Sequence, residues 1–230
     1  MRAYGGFCPI AKALEVLGER WTLLIVRELL CGSHRFSEFR QGLPGIPRSL
    51  LAQRLRTLER AGVVERRVDA TGKRSDYHLT PAGQELLDIV WGLGEWGQRW
   101  VNHTIGPADV DPQLLLWDMH RRVHLDRLPE QRIVVQFDFR GVRQQSYWLI
   151  LERPEPSVCL HDPGFGIDLL VTAEVVALHR VWLGHLALAE AIDQRLITVD
   201  GPADLVSAFP TWLALNAFAG VRPAAAHRSF

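Results

Sequence analysis

Surplus charge, cysteine pairs and long apolar runs are all missing from this 230-residue chain. Its 26 Lys and Arg balance 26 Asp and Glu, a formal net charge of zero, which taken whole argues against a polyanionic partner. Cys8, Cys31 and Cys159 are an odd number with no CxxC pair, so neither a disulfide framework nor a zinc knuckle is indicated. The strongest apolar run, Leu23-Leu24-Ile25-Val26, is far too short to span a bilayer. Met1-Arg2-Ala3-Tyr4-Gly5-Gly6 lacks the apolar core of a signal peptide, so a cytoplasmic location and no membrane are expected. No GxSxG elbow, GxGxxG loop or paired-carboxylate set stands out, and Gly164-Phe165-Gly166 reads as a turn. The chain is therefore not expected to be an enzyme, and no cofactor is implied.

What is present is the composition of a globular chain that can bury a core, 47% apolar and 23% charged. The length suits one large domain or two small ones. The zero charge conceals a split: residues 1–100 carry 15 basic against 11 acidic side chains, a net +4, and the remainder is −4. Such asymmetry points to two domains with different partners.

Cys8-Pro9-Ile10 opens a helix with Ile10, Ala13, Leu14 and Leu17 on one face, interrupted at Gly18. A second helix is expected to bury Trp21, Leu24, Ile25, Leu29 and Leu30, with Gly32 past its end. Ser37 caps a short helix over 38–41 that sets Phe36 and Phe39 beside the core. Residues 42–47 then make a Gly/Pro turn. The fourth helix, about 48–61, ends at Gly62; Leu51, Leu55 and Leu58 repeat at i, i+4, i+7 and point inward. Arg48, Ser49, Gln53, Arg56 and Arg60 are left outward. Arg can fork onto guanine and Gln onto adenine in the major groove, although the same face alone would also serve as solvated helix surface.

Context favours DNA. Residues 63–68 and 75–79 read as paired strands, joined by the basic tip Asp69-Ala70-Thr71-Gly72-Lys73-Arg74. Helix, turn, basic helix and basic hairpin form a winged helix-turn-helix. Residues 35–74 hold ten cations against four acids, a net +6, the footprint of counterion release on DNA. The candidate DNA contacts are Arg35, Arg48, Ser49, Gln53 and Arg56, with Lys73 and Arg74 from the wing.

Cys8-Pro9, Leu17-Gly18-Glu19-Arg20-Trp21-Thr22-Leu23-Leu24-Ile25, Arg35-Phe36, Gly45-Ile46, Gln53-Arg54-Leu55, Leu58-Glu59, Tyr77-His78-Leu79-Thr80 and Gly83 fall in order along the chain. Over about residues 7–100 this pattern resembles the HxlR-type, MarR-like transcriptional regulators. The resemblance implies a dimeric, winged-helix, DNA-binding regulator such as a repressor. Pro47 departs from it, standing where the family usually has a capping Ser or Thr. Proline suits a first helical turn, so the helix is kept while a capping hydroxyl is lost. Some such regulators sense oxidants or electrophiles through a cysteine at the place of Cys8. Here Cys8 opens a helix with Lys12 four residues on, a candidate redox sensor against the plainer reading of an inert thiol.

Thr80 and Pro81 start a fifth helix. Leu86, Leu87, Ile89, Val90, Leu93, Trp96, Trp100 and Val101 make it apolar on more than one face, so a partner helix is expected. The resemblance implies the same, a homodimer on a pseudo-palindromic operator with half-sites about 10 bp apart.

Gly106-Pro107 with Asp109 and Asp111 reads as a linker, dividing domains 1–105 and 106–230. Beyond it come a helix over 112–125, strands over 133–139, 147–152, 157–160, 168–172 and 196–199, and helices over 174–183, 185–194 and 202–217. The strands cluster before the helices, so the class is α+β. Val181-Trp182-Leu183-Gly184, Ala191-Ile192, Ile197-Thr198-Val199-Asp200-Gly201 and Phe209-Pro210-Thr211-Trp212-Leu213 resemble a sterol-carrier-protein-like domain over about 112–220. That implies helices over a sheet around an apolar tunnel, with Trp117, Trp148, Trp182, Phe209 and Trp212 as candidate lining, or else ordinary core aromatics. His120 and His124 stand at i, i+4 on the helix expected there, but with no third ligand evident no metal site is assigned.

The expected protein is thus a dimeric DNA-binding regulator modulated by an apolar small molecule. The alternative is a carrier of apolar ligands whose winged helix serves only dimerisation.

Overall fold

A computed structural model describes residues 7–69, 74–101, 105–141 and 146–224. The chain forms two compact units, residues 1–94 and 95–230, each around its own apolar core.

The first unit runs α1 (Pro9–Leu17), α2 (Thr22–Leu30), α3 (Phe36–Gly42), α4 (Arg48–Arg60), β1 (Val64–Val68), β2 (Ser75–Leu79), α5 (Pro81–Gln84) and the start of α6 (Leu87–Trp100). Leu51, Leu55 and Leu58 are fully buried, so the leucine stripe of α4 is its inner face, packed on Ile25, Val26, Leu29 and Phe39. Gly62, at φ +71, turns the chain from α4 into the wing, a conformation that side chains with a Cβ resist. The wing is antiparallel, with Arg66 opposite Tyr77.

Several local expectations change. Arg35, not Ser37, is the N-cap of α3, because the Glu38 carboxylate reaches back to the amides of His34 and Arg35 (2.7 and 2.9 Å). Leu24 is exposed and Leu30 half-buried, whereas Val26 and Glu28 take the inner positions of α2. The apolar stripe of α1 is not buried: Ile10 is 71% exposed and Leu14 42%. The single helix expected from residue 80 is two, α5 and α6, parted at Glu85 and Leu86. Thr80 does cap α5, accepting from the Gly83 amide.

The second unit contains α7 (Pro112–His120), a 3-10 turn (Leu125–Arg127), β3 (Ile133–Arg140), β4 (Ser146–Leu151), β5 (Ser157–Cys159), β6 (Leu169–Glu174), α8 (Val175–Trp182), α9 (Leu188–Asp193), β7 (Ile197–Asp200) and α10 (Ala203–Trp212). The class is α+β. The five strands order β5-β4-β3-β6-β7, all antiparallel except the central β3–β6 pair. Alternation sets the core face: Val135, Phe137 and Phe139 of β3, Tyr147 and Leu149 of β4 and Val171 of β6 pack under α7, α8 and α10. On the opposite face Gln136 and Ser146 both donate to Asp138 (2.9 and 2.6 Å).

Helix α7 is shorter than the 112–125 expected. It stops at His120 because the following segment runs extended against residues 212–214: the His124 amide donates to Trp212 O and the Ala214 amide to Arg122 O, both at 2.8 Å. His120 and His124 therefore do not share a helix face, and their spacing loses its meaning as a metal signal. The last helix likewise ends at Trp212 rather than 217.

Candidate nucleic-acid interface and apolar cavity

Helix α4 is about 20 Å long at 1.5 Å per residue. With its leucines inside, Ser49, Gln53, Arg56 and Arg60 fall at i, i+4, i+7 and i+11 and form one exposed stripe, with Arg48 beside its start. Among the described residues, Arg48, Arg56 and Arg66 enter no ion pair. Pro47 occupies the N-cap at φ −62 and supplies no side-chain cap, so the first amides of α4 are left without one.

Arg54, counted with the cations, has another task. Its side chain is only 14% exposed, and it pairs with Glu19 at 2.8 Å while its Nε donates to Arg20 O at 3.2 Å. This clamps the connection before α2, where Trp21 sits at φ +78, a strained conformation for a bulky residue. Arg20 lies over the Trp21 ring at 5.2 Å. Helix α4 is thereby tied to the segment that leads into α2.

A second tie escaped sequence reasoning. Glu28 is fully buried; it accepts from Ser33 Oγ at 3.0 Å and pairs with Arg27 at 2.5 Å, while Arg27 also donates to Gly42 O. Gly42 lies so close to the Glu28 carboxylate that any Cβ there would overlap it. A buried acid and a glycine thus fix where α3 ends and the turn to α4 begins.

Arg35 is exposed and loosely paired with Glu38 at 3.9 Å; its backbone bridges to Asp76 of the wing. His34 and His78 stack at 4.5 Å between ring centroids, and His34 Nδ1 meets Tyr77 O at 3.0 Å. Burial, then the neighbouring His34 and Arg67, lower the His78 pKa from its ordinary 6.5. Arg67 pairs with Glu65, whereas Arg74 is exposed and its backbone closes the hairpin onto Asp69. Lys73 lies outside the described residues. Cys8 is exposed at the N-cap of α1, and Lys12 is paired with Glu15 at 3.1 Å rather than with the thiol.

In the second unit a cavity of about 310 Å³ is lined by fifteen of the described residues, among them Met119, Val171, Leu178, Trp182, Phe209 and Leu213. Of the five aromatic candidates, Trp182 and Phe209 are in this lining. Trp212 is in the same core, edge-on to Phe209 at 6.1 Å. Trp117 is buried beneath Arg121 and His120, and Trp148 lies on the opposite face of the sheet, paired in register with Gln136. Beside the cavity, Gln98 of α6 is buried and bonds the His185 ring at 2.9 Å, in the stretch that contributes Gly184, Leu186 and Ala187 to the wall. Burial, and then His185, lower the pKa of His179.

Among the described residues no cluster of side chains suited to a metal ion occurs, and no helix is long and apolar enough to cross a membrane.

Comparison with known proteins bears on the N-terminal part of the chain. Residues 16–105 match the HxlR-like helix-turn-helix family. The HTH-type transcriptional regulator YvaP of Bacillus subtilis is 41% identical over 97 residues, covering 41% of this chain and 90% of its own length. The HTH-type transcriptional regulator Rv3095 of Mycobacterium tuberculosis is 40% identical over 99 residues, 43% of this chain and 62% of its own. The solved structure of the reduced transcriptional regulator YodB from B. subtilis is 35% identical, covers 40% of this chain and 93% of that one, and superposes with a TM-score of 0.36. The chain belongs to the HxlR-like helix-turn-helix family of transcriptional regulators.

Proposed function

We propose that the protein is a homodimer that reads a pseudo-palindromic operator through α4 and the wing, and that an apolar small molecule bound by residues 106–230 tunes this binding. The observation that carries the DNA reading is the division of α4, with Leu51, Leu55 and Leu58 buried and an exposed Arg/Gln/Ser stripe facing out. Arg48, Ser49, Gln53 and Arg56 are then the groove and phosphate contacts, and Arg35, Lys73 and Arg74 grip the flanking backbone. Dimerisation is supported by α6, where Ile89, Leu93, Trp96 and Trp100 fall at i, i+4, i+7 and i+11 and are each between 44% and 58% exposed. The effector reading is supported by the cavity between sheet and helices, an arrangement that suits a sterol-carrier-like unit. Cys8, exposed at a helix start, is retained as a redox-sensing candidate.

The test is selection of binding sites from random DNA, followed by anisotropy titration at physiological salt. The selected site should be preferred over random sequence by about 10³-fold or more. Equal binding to both would sink the operator reading.

A further inference from the structure

Within the reading of the cavity as an effector site, we propose that it takes a neutral, compact hydrophobe and rejects anions of the same size. None of its fifteen described lining residues carries an ionisable side chain, and among them the single side chain with an N–H or O–H group is Trp182, whose Nε1 is enclosed by protein. The wall segment 211–215 is held from outside by two exposed arginines: Arg122 donates to Leu215 O at 2.5 Å and Arg127 to Thr211 O at 3.3 Å. Their guanidinium groups brace the wall without lining it. A carboxylate or phosphate drawn inside would give up its water with no opposite charge to replace it. A neutral ring or short alkyl chain has no such loss and gains by burying apolar surface.

Size narrows the class further. About 310 Å³ lies at the lower end of small-molecule sites. The rigid faces of Trp182 and Phe209 suit a flat or branched body, and the flexible Met119 thioether fills what remains. The ligand is therefore smaller than the long-chain lipid that a tunnel would accept. Gly184, Ala187, Pro210 and Leu215 are the exposed residues of the described lining and mark its mouth.

Prodan, an uncharged naphthalene ketone whose emission reports polarity, serves as the probe. Methylnaphthalene and naphthoate, alike in size but one neutral and one anionic, compete for it. Prodan should bind the wild-type protein, and Ala187→Trp at the mouth should weaken it by about tenfold. Methylnaphthalene should displace it at about tenfold lower concentration than naphthoate. Leu215→Arg, which adds a cation to the lining, should bring naphthoate toward parity with methylnaphthalene. Both variants alter exposed positions, and circular dichroism verifies their fold. Naphthoate competing as well as methylnaphthalene in the wild type overturns the proposal while keeping the effector site. Prodan that does not bind, or that binds Ala187→Trp unchanged, overturns the effector reading and the proposal together.

Discussion

Two arginines two positions apart on α4 have opposite fates, and the difference is measurable. Arg54 is pinned to Glu19 and to the Arg20 carbonyl, whereas Arg56 is exposed and enters no ion pair among the described residues. Arg56→Ala should leave thermal stability nearly unchanged and cost about 1–3 kcal/mol of operator affinity if it forks onto a base. Arg54→Ala should instead lower stability by roughly 1.5–3 kcal/mol, since it removes charge-assisted bonds that hold a strained Trp21. Chemical denaturation and anisotropy, run on both variants, separate the roles; equal effects on both readouts would refute the assignment. Gly42 makes a similar case. Gly42→Ala should destabilise by about 1–3 kcal/mol, because the overlapped Glu28 carboxylate is fully buried and cannot swing away cheaply. A urea midpoint equal to that of the wild type would show that the buried acid has room to move.

At the scale of elements, what could be read in the sequence was what is local. The α4 stripe follows from its leucine spacing, and both wing strands from short segments that flank a turn and are bounded by Gly62 and the start of α5. The end of α7 was not legible, since the partner that draws residues 122–124 into extended pairing lies far downstream at 212–214. Nor was Glu28, whose burial depends on Ser33 and Gly42 arriving from other segments. Trp148 is a different case: the alternation of Tyr147, Leu149 and Leu151 already assigns it to the other face of β4.

Histidines link two elements to pH. His78 at the wing base and His179 in α8 both have folded pKa values below 6.5, so the unfolded chain takes up protons first as pH falls. Stability from these sites is complete above about pH 6.5 and declines as pH drops through the lowered folded values. The melting temperature should therefore fall on acidification below that point, and His179→Gln should flatten the fall; an unchanged slope would remove His179 from the account. Helix α6 offers a coupling element as well, with buried Gln98 bonded to His185 near the cavity wall and exposed Trp96 and Trp100 elsewhere on its surface. If that bond relays occupancy, Gln98→Leu should keep prodan affinity within about twofold yet abolish any prodan-dependent shift in operator affinity.

For the whole molecule, the net charge of zero is a sum over parts that do different things. The +6 of residues 35–74 contains the α4 stripe and the wing, while the chain beyond residue 100 is −4. Affinity for DNA should accordingly fall steeply with salt despite the neutral total, and removing one phosphate contact per protomer should reduce the slope by about two in a dimer. The dimer itself is the larger claim. The stripe Ile89, Leu93, Trp96 and Trp100 exposes more large apolar surface than a lone helix face keeps in water, and α1 adds Ile10 and Leu14. A carboxylate placed in the middle of such a contact would be stripped of water without a partner. Leu93→Glu should therefore sediment as a monomer while retaining its helical signal, because Leu93 is already 50% exposed and contributes little to the unit's own core. Operator affinity should drop roughly a hundredfold or more, since a single half-site contact loses the gain from linked binding. If Leu93→Glu and Trp96→Glu together still sediment as a dimer, the two-fold contact lies elsewhere, and the exposed face of α1 becomes the surface to test.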